Sequence, residues 1–315
     1  MIIKVITIFG EEIQLNHIFE VCFTQTVGVA CDSLSVYFKN EFPIDEIAFV
    51  KAYEKDRIIF NGFCDNQRTT ENQDGFEMFI YARSSACLLV DNEAQPFTYN
   101  CPSANQLYFN YAKDFGFESA LPEIYSNDKY EVLKGTTCYG AIHQFVYLKS
   151  GKYVYVTPDN KLSVYEKSSN IRDFHKYNII SFSSVVNRSE PISQINFKRS
   201  VGESGYRLHT KSQISDEIGI KRNQYVNLSA LPQWQREYII LQKLKSSYED
   251  YKVLEILVAG YVDEELFRSF DFVHRGVRYD DYVLMEKKYT FDERGERTKL
   301  VMKKSVEVKE ITYVD

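Results

Sequence analysis

The residue types that most often carry catalysis are present but scattered. No His-Glu-x-x-His motif of zinc proteases occurs in the chain. The stretch Val201 to Tyr206 resembles a hydrolase nucleophile elbow, but that motif requires Gly-x-Ser-x-Gly, and here Ser204 directly precedes Gly205. We therefore interpret this stretch as a loop. The histidines stand far apart, and we interpret each as a surface or core residue: His17, His143, His175, His209 and His274.

Acidic pairs are the remaining candidates for hydrolytic chemistry. Asp263-Glu264 and Asp280-Asp281 each place two carboxyl groups side by side, and glycosidases use a pair of carboxylates. Spacing along the chain does not give their separation in space, and carboxylates are common in solvated loops. Neither Gly-x-x-x-x-Gly-Lys nor Gly-x-Gly-x-x-Gly occurs. The sequence therefore predicts no catalytic and no cofactor-binding residues, no cofactor, and a protein that is not an enzyme.

The cysteines indicate neither a zinc site nor a disulfide framework. None of them forms a Cys-x-x-Cys pair, which is the close spacing that structural zinc sites require. Free cysteine packs as a small hydrophobic residue. We expect reduced, mostly buried thiols and no metal ligands at the six positions: Cys22, Cys31, Cys64, Cys87, Cys101 and Cys138.

Composition excludes several classes of partner. The 315 residues carry a net charge of −6, which disfavours nonspecific binding to nucleic acid or to anionic membranes. No apolar run reaches the roughly 18 residues that span a bilayer. The first ten residues are too short for a secretory signal, and Lys4 lies inside their apolar stretch. We expect a protein made and kept in the cytosol, without a membrane span or specific nucleic-acid binding.

The first 90 residues have the pattern of a β-meander. In "LSVYF", Leu34, Val36 and Phe38 alternate with polar or amphipathic neighbours, which predicts a strand with one buried face. "EIAFVKAYEKDRIIFNGF" predicts two strands around a polar turn, and "FEMFIYAR" returns after Asp74-Gly75. Gly62 inside a strand predicts a bulge or sharp bend that curls the sheet. We expect a small β-barrel over 1–90.

A helical module follows. Ser103 and Gln106 have capping-box spacing, and Gly116 provides a left-handed helix end. A second helix is predicted to start at Thr136 or Thr137 and to end before Gly151, followed by a hairpin with a Pro-Asp-Asn turn. Two helices and a hairpin predict an α+β module over 98–175.

The last third returns to strand after one long helical pattern. Residues 176–200 read as strand, and 230–257 hold a helical pattern with its apolar face marked by Trp234, Tyr238, Leu241, Leu244 and Tyr248. The end predicts a long hairpin turning at Glu293-Arg294-Gly295. We predict a second barrel from 176–200 and 258–315, with a helix-bearing insertion at 201–257. The fold class is α+β, mainly β, with the α+β module between two barrels.

The closing hairpin is basic in an acidic chain. Residues 286–309 hold eight Lys or Arg against five Asp or Glu. A solvated hairpin accounts for this excess. A surface for a partner, or a channel wall that faces a polyanion, would account for it as well.

The order of these parts resembles the baseplate hub proteins of contractile phage tails, of the late control protein D type, with relatives in tailocins and Gram-positive prophage-like elements. The resemblance is carried by loose patterns of strand and turn over most of the chain. Residues 201–260 match no part of the family pattern. The matching stretches are the strand from Asp32, "RIIFNGF" with Phe60 and Gly62, "SANQLYFNYAKDFGF", "AIHQFVYLKSGKYVYVTPDNKLSVYEK" and "YTFDERGERTKLVM".

The resemblance implies two tube-type barrels per chain and a homotrimer with a pseudo-sixfold ring. Such a ring is an adaptor without an active site, with the hexameric tail tube on one side and the trimeric central spike on the other. Tape measure and baseplate wedge proteins are further partners that the resemblance implies. The implied location is the bacterial cytoplasm during assembly and then the tail baseplate of the particle.

Two other functions stay open at this point. A cell-wall hydrolase at the tail tip would use the abundant carboxylates, and zymography on peptidoglycan tests it. A carbohydrate-binding module would use exposed tyrosines, and a glycan screen tests that. The sequence does not decide between a phage, a tailocin and a related injection particle.

Overall fold

The computed structural model describes residues 1–73, 75–167, 176–198, 200–202, 204–206, 208–211, 215 and 218–305. The helices are α1 Cys87–Asp91, α2 Ala104–Tyr111, α3 Cys138–Ser150 and α4 Gln233–Glu249, with a 3-10 turn at Lys113–Phe115. The strands are β1 Ile2–Thr7, β2 Glu12–Gln14, β3 Ile18–Thr26, β4 Ser33–Asn40, β5 Ile47–Glu54, β6 Arg57–Asn72, β7 Gly75–Ser84, β8 Phe97–Tyr99, β9 Glu118–Ser119, β10 Tyr130–Val132, β11 Val154–Val156, β12 Lys161–Val164, β13 Ile179–Val186, β14 Gln194–Phe197, β15 Leu208–Lys211, β16 Asn223–Val226, β17 Lys252–Ala259, β18 Ser269–His274, β19 Val277–Asp292 and β20 Gly295–Lys304.

The N-terminal β unit is built from β1 to β7. Leu34, Val36 and Phe38 of β4 are at most 1% exposed, as the alternation predicted. They pack in one core with apolar residues from the neighbouring strands. The two strands around the "EKDR" turn are confirmed, and β7 is the predicted returning strand. Asp74 lies outside the described residues.

The bulge predicted at Gly62 is displaced. Gly62 lies in register with both Val50 and Ser84, and the extra residues are Ile59 on the β5 side and Asp65 on the β7 side. Glycine is required at position 62 for another reason. A Cβ there would lie 2.0 Å from the backbone oxygen of Arg83, so the close approach of β7 excludes a side chain.

The middle module confirms both predicted helices. Ser103 Oγ accepts a hydrogen bond from the backbone N–H of Gln106 at the start of α2. Thr137 Oγ1 accepts one from Gly140 at the start of α3, and Gly151 ends that helix in the left-handed region. Strands β11 and β12 form the predicted hairpin. A buried core joins these elements.

The long helix is shorter than its pattern indicated. It ends at Glu249, and Lys252–Ala259 form strand β17 rather than the last helical turns. Residues 254–258 are buried at every second position, which is the strand period. On α4, Leu244 and Tyr248 are buried, whereas Trp234, Tyr238 and Leu241 are half-buried. Trp234 instead packs against Tyr130 and Tyr238 against Tyr147 of the middle module.

The C-terminal β unit is built from β13 and β17 to β20. It has its own core, to which Val27, Tyr147 and Tyr153 of the preceding parts contribute. The closing hairpin turns between Asp292 and Gly295 as predicted, and the part of it after residue 305 lies outside the described residues. Strand β14 pairs with β15 and β16 in a separate small sheet that packs on α4. The predicted domain boundaries stay a prediction.

The two β units share one sheet. The C-terminal half of β19 pairs with β3, from Glu286 opposite Thr26 to Phe291 opposite Val21. This pairing joins the ends of the chain in a 12-stranded sheet. The α+β, mainly β class with β units at both ends and a helical module between them is confirmed.

Candidate functional site

A cleft of about 780 Å³ lies where the two β units meet the middle module. Its walls come from the loop that follows β3, the start of β6, the β11–β12 hairpin and the loop that follows β17. These elements meet because β19 pairs with β3. One of the two acidic pairs from the sequence, Asp263-Glu264, lies here.

Glu264 is almost fully buried, with 1% of its side chain exposed. One carboxylate oxygen accepts hydrogen bonds from Lys176 Nζ at 2.9 Å and Tyr177 Oη at 2.6 Å, and the other accepts from Arg268 Nη1 at 3.0 Å. Burial raises the pKa of Glu264, but these three donors outweigh it and leave the pKa below its ordinary value. Asp263 forms an ion pair with Arg57. A general acid needs a raised pKa, whereas the pKa of Glu264 is lowered. These contacts therefore indicate a structural role for the acidic pair.

Asp32 and Lys287 line the same cleft at the β3–β19 seam. Asp32 accepts a hydrogen bond from Gln25 Nε2 at 2.8 Å, and Lys287 Nζ donates to the backbone oxygen of Glu264 at 3.2 Å. Burial raises the pKa of Asp32 to about 6 and lowers that of Lys287 to about 8. Sequence analysis did not single out either residue, because their enclosure depends on the pairing of the chain ends.

The other acidic pair lies elsewhere. Asp280 pairs with Arg278 on the surface, and the backbone N–H of Asp281 donates to Asp271 Oδ1 at 2.8 Å. Both aspartates belong to the first part of β19, outside the residues that line the cleft. The structure therefore does not bring the two acidic pairs into one site.

The histidines whose side chains are described also lie apart. His17 precedes β3, and His274 ends β18 and stacks on Phe182. His143 is buried in α3, where its Nδ1 accepts from the backbone N–H of Val154 at 3.3 Å. Burial lowers the pKa of His143 to about 4. His175 lies outside the described residues, and so does the side chain of His209.

The remaining candidates are the cysteines and one loop. All six thiols are free, but the expectation that they are mostly buried is wrong, because only Cys87 and Cys138 are buried and Cys101 is exposed. The described part of the "GESG" stretch forms turns between β14 and β15, with Glu203 outside it. Over the residues that the structure describes, no group of three or more His, Cys, Asp or Glu could hold a metal ion. In the same part of the chain, no helix is long and apolar enough to cross a membrane.

The shared sheet is a second candidate for function. Eight strands run side by side in the order β13, β17, β20, β19, β3, β4, β7 and β6, and each neighbouring pair is antiparallel. Among the described residues, β13 pairs with β17 as its only neighbouring strand, and Asn66–Glu71 of β6 pair with β7 as theirs. On the described part of the chain, β13 and this stretch of β6 therefore each have one side without a strand partner, where another chain is able to pair.

The face of this sheet that points away from the two cores is basic on β19 and β20 and carries the aromatic residues Tyr37, Phe79 and Tyr81 on β4 and β7. Thr24 of β3, Lys288 of β19 and Lys299 of β20 lie opposite one another across three strands. Lys299 forms an ion pair with Glu255 at 2.8 Å. Lys288, Arg297, Lys299 and Lys303 of the basic hairpin lie on this face, whereas Lys287 points into the cleft.

Comparison with known proteins shows the fold. No family model matches the sequence, and no curated protein matches it. Among solved structures, the 43 kDa tail protein of prophage MuSo2 from Shewanella oneidensis superposes with a TM-score of 0.77 at 12% identity, covering 96% of this chain and 97% of that one. The tail protein from Neisseria meningitidis MC58 gives 0.73 at 16% identity and covers 96% of both chains.

A third structure, prophage tail protein gp18 from Listeria monocytogenes EGD-e, gives a TM-score of 0.62 at 14% identity, with 98% of this chain and 96% of that one covered. All three are tail proteins, and each likeness extends over nearly the whole of both chains. This chain therefore has the fold of phage tail proteins.

Proposed function

We propose that the chain is the structural hub of a contractile-tail baseplate, a homotrimeric adaptor that joins the hexameric tail tube to the trimeric central spike. The role is architectural and needs no catalysis. In the cleft, both members of the acidic pair are held by cations or donors, which favours this role over a cell-wall hydrolase.

The observation that carries the proposal is the run of eight antiparallel strands from β13 to β6 within the shared sheet. Among the described residues, β13 and Asn66–Glu71 of β6 have no further strand beside them. Because the strands alternate in direction, β13 and β6 run antiparallel to each other. A copy rotated about an axis along the strands would therefore present β13 beside β6 with antiparallel polarity. With an even number of strands per chain, the antiparallel alternation of strands continues from one copy to the next around the ring. Closure of the ring then pairs the backbone groups of both edges.

The sheet also divides into two groups of four strands. β13, β17, β20 and β19 come from the C-terminal unit, and β3, β4, β7 and β6 come from the N-terminal unit. Three copies would present six such groups. This count supports a threefold assembly that matches a sixfold tube on one side and a threefold spike on the other. The face with Lys288 and Lys299 would then line the channel.

The fold shared with tail proteins supports a location in the tail of the particle, reached after assembly in the bacterial cytoplasm. The tube protein and the spike protein are the partners of this proposal.

Two neighbouring proline variants test the ring. Successive backbone N–H groups of a strand point to opposite sides, so Ser183→Pro and Ser184→Pro each remove a donor from a different side of β13. We expect one variant to keep the wild-type melting temperature within a few degrees and to lose the trimer. The other is expected to lower the melting temperature, because it removes a hydrogen bond to β17. The readouts are native mass and thermal unfolding, with the purified spike protein present. Normal trimers from both variants would contradict the ring.

A further inference from the structure

One end of the shared sheet carries exposed apolar side chains. This distal end consists of the β1–β2 turn, the start of β3, the β4–β5 loop, the β6–β7 turn and the β19–β20 turn. Backbone pairing places all five together. The backbone N–H of Ile8 in the β1–β2 turn donates to the backbone oxygen of Glu46 in the β4–β5 loop. The strand registers bring the other segments to the same end, with Ile18 opposite Phe38, Asn40 opposite Phe76 and Val21 opposite Phe291. The middle module contacts the opposite end, where β3 leads into Val27.

The apolar side chains at the distal end are large and solvent-exposed. Phe9 is 76% exposed, Phe42 is 72%, Ile8 is 52% and Phe19 is 42%. They come from three separate segments, and none of them contributes to the core of the N-terminal unit. Scattered exposed apolar residues need no explanation, but several aromatic tips on one end of a sheet are typical of a protein-binding surface.

The charge of the same end restricts the partner. Six exposed carboxylates lie among these tips, and none of them has a cation within 4 Å among the described residues: Glu11, Glu41, Asp45, Glu46, Glu71 and Glu293. Glu71 belongs to β6, and the turns that hold the other five contain one Lys or Arg, namely Arg294. This charge repels a nucleic acid, an anionic membrane and a second copy of the same end.

We propose that the distal end docks a protein that presents lysine or arginine side chains around apolar sockets, and that this protein is the tail tube. The phenylalanine side chains fill apolar pockets of the partner. The carboxylates speed the association with a basic surface and disfavour acidic partners. The identity of the partner rests on the proposed hub function, whereas the chemistry of the surface rests on the distal end itself.

The test uses the purified tube protein from the same tail gene cluster and measures its Kd for the full-length chain. We expect the double variant Phe9→Ser/Phe42→Ser to weaken binding by about 30-fold or more. Phe97→Ser/Phe109→Ser is the matched control, because both residues are exposed but belong to the middle module. It should leave the Kd within about twofold. Thermal unfolding of each variant shows that the fold is kept.

The role of the carboxylates at the distal end is tested with charge-reversal variants. Glu41→Lys/Asp45→Lys should slow association by about tenfold or more at low salt, and wild-type binding should weaken as NaCl rises. Glu123→Lys/Glu190→Lys makes the same change of charge at exposed positions away from the distal end and should have little effect. Equal effects of end and control variants, binding that salt does not change, or no binding to the tube protein would each overturn the inference. The native mass of the chain is measured separately, so failure of the ring and failure of this contact are distinguishable.

Discussion

At the scale of residues, the cleft shows how charged side chains are held where the parts of the chain meet. Glu264 is buried but has three donors, so its charge is compensated. Asp32 has one side-chain donor, Gln25, and burial raises its pKa to about 6. Lys287 shows the opposite shift, to about 8. The seam therefore carries two groups whose charged forms are less favourable in the folded state than in the unfolded state.

Asp32 should make the free energy of unfolding depend on pH. Because its folded pKa lies above its unfolded value, its favourable contribution is complete below about pH 4 and is lost as pH rises through 6. Asp32→Asn removes this dependence. We expect the wild type to lose about 1–3 kcal/mol relative to the variant between pH 4 and pH 7. Urea unfolding at several pH values measures the difference.

The control for this prediction is Asp45→Asn, which removes an exposed carboxylate from the β4–β5 loop. Its difference from the wild type should stay nearly constant over the same pH range. If Asp32→Asn behaves in the same way as Asp45→Asn, the carboxyl group of Asp32 is not perturbed by the seam.

At the scale of elements, the sequence predicted those helix ends that depend on contacts between neighbouring residues. Ser103, Thr137 and Gly151 fix helix ends through contacts within a few residues, and these predictions are confirmed. The end of α4 was predicted wrongly because Leu254 and Ile256 extend an apolar pattern that fits a helix over a short window. These residues form a strand because β17 pairs with β13 on one side and with β20 on the other. Such distant partners leave no mark in the sequence of the segment itself.

Gly62 offers a test of close strand approach. Gly62→Ala would place a methyl group against the backbone of Arg83, so β6 and β7 must separate. We expect a loss of about 2–3 kcal/mol or more in the free energy of unfolding, measured by chemical denaturation. Ser35→Ala in β4 is the control and should stay within about 0.5 kcal/mol. A tolerated Gly62→Ala would mean that the strands are not as close as the register requires.

At the scale of the whole molecule, the pairing of β3 with β19 is the feature that matters most. It joins two β units at opposite ends of the chain in one 12-stranded sheet. Within this sheet, eight antiparallel strands run from β13 to β6, and among the described residues β13 and Asn66–Glu71 of β6 have no further strand beside them. Sequence patterns predicted both units and the hairpin of β19 and β20, but not that β19 extends into the first unit. Asp32 and Lys287 were missed for the same reason, because they lie 255 positions apart in the chain.

The most direct test of the proposed ring is the native mass of the full-length chain, alone and mixed with the purified spike and tube proteins. We predict a complex with three copies of this chain, formed alone or upon addition of the spike. A single copy in every mixture would contradict the proposed ring and the hub function that depends on it.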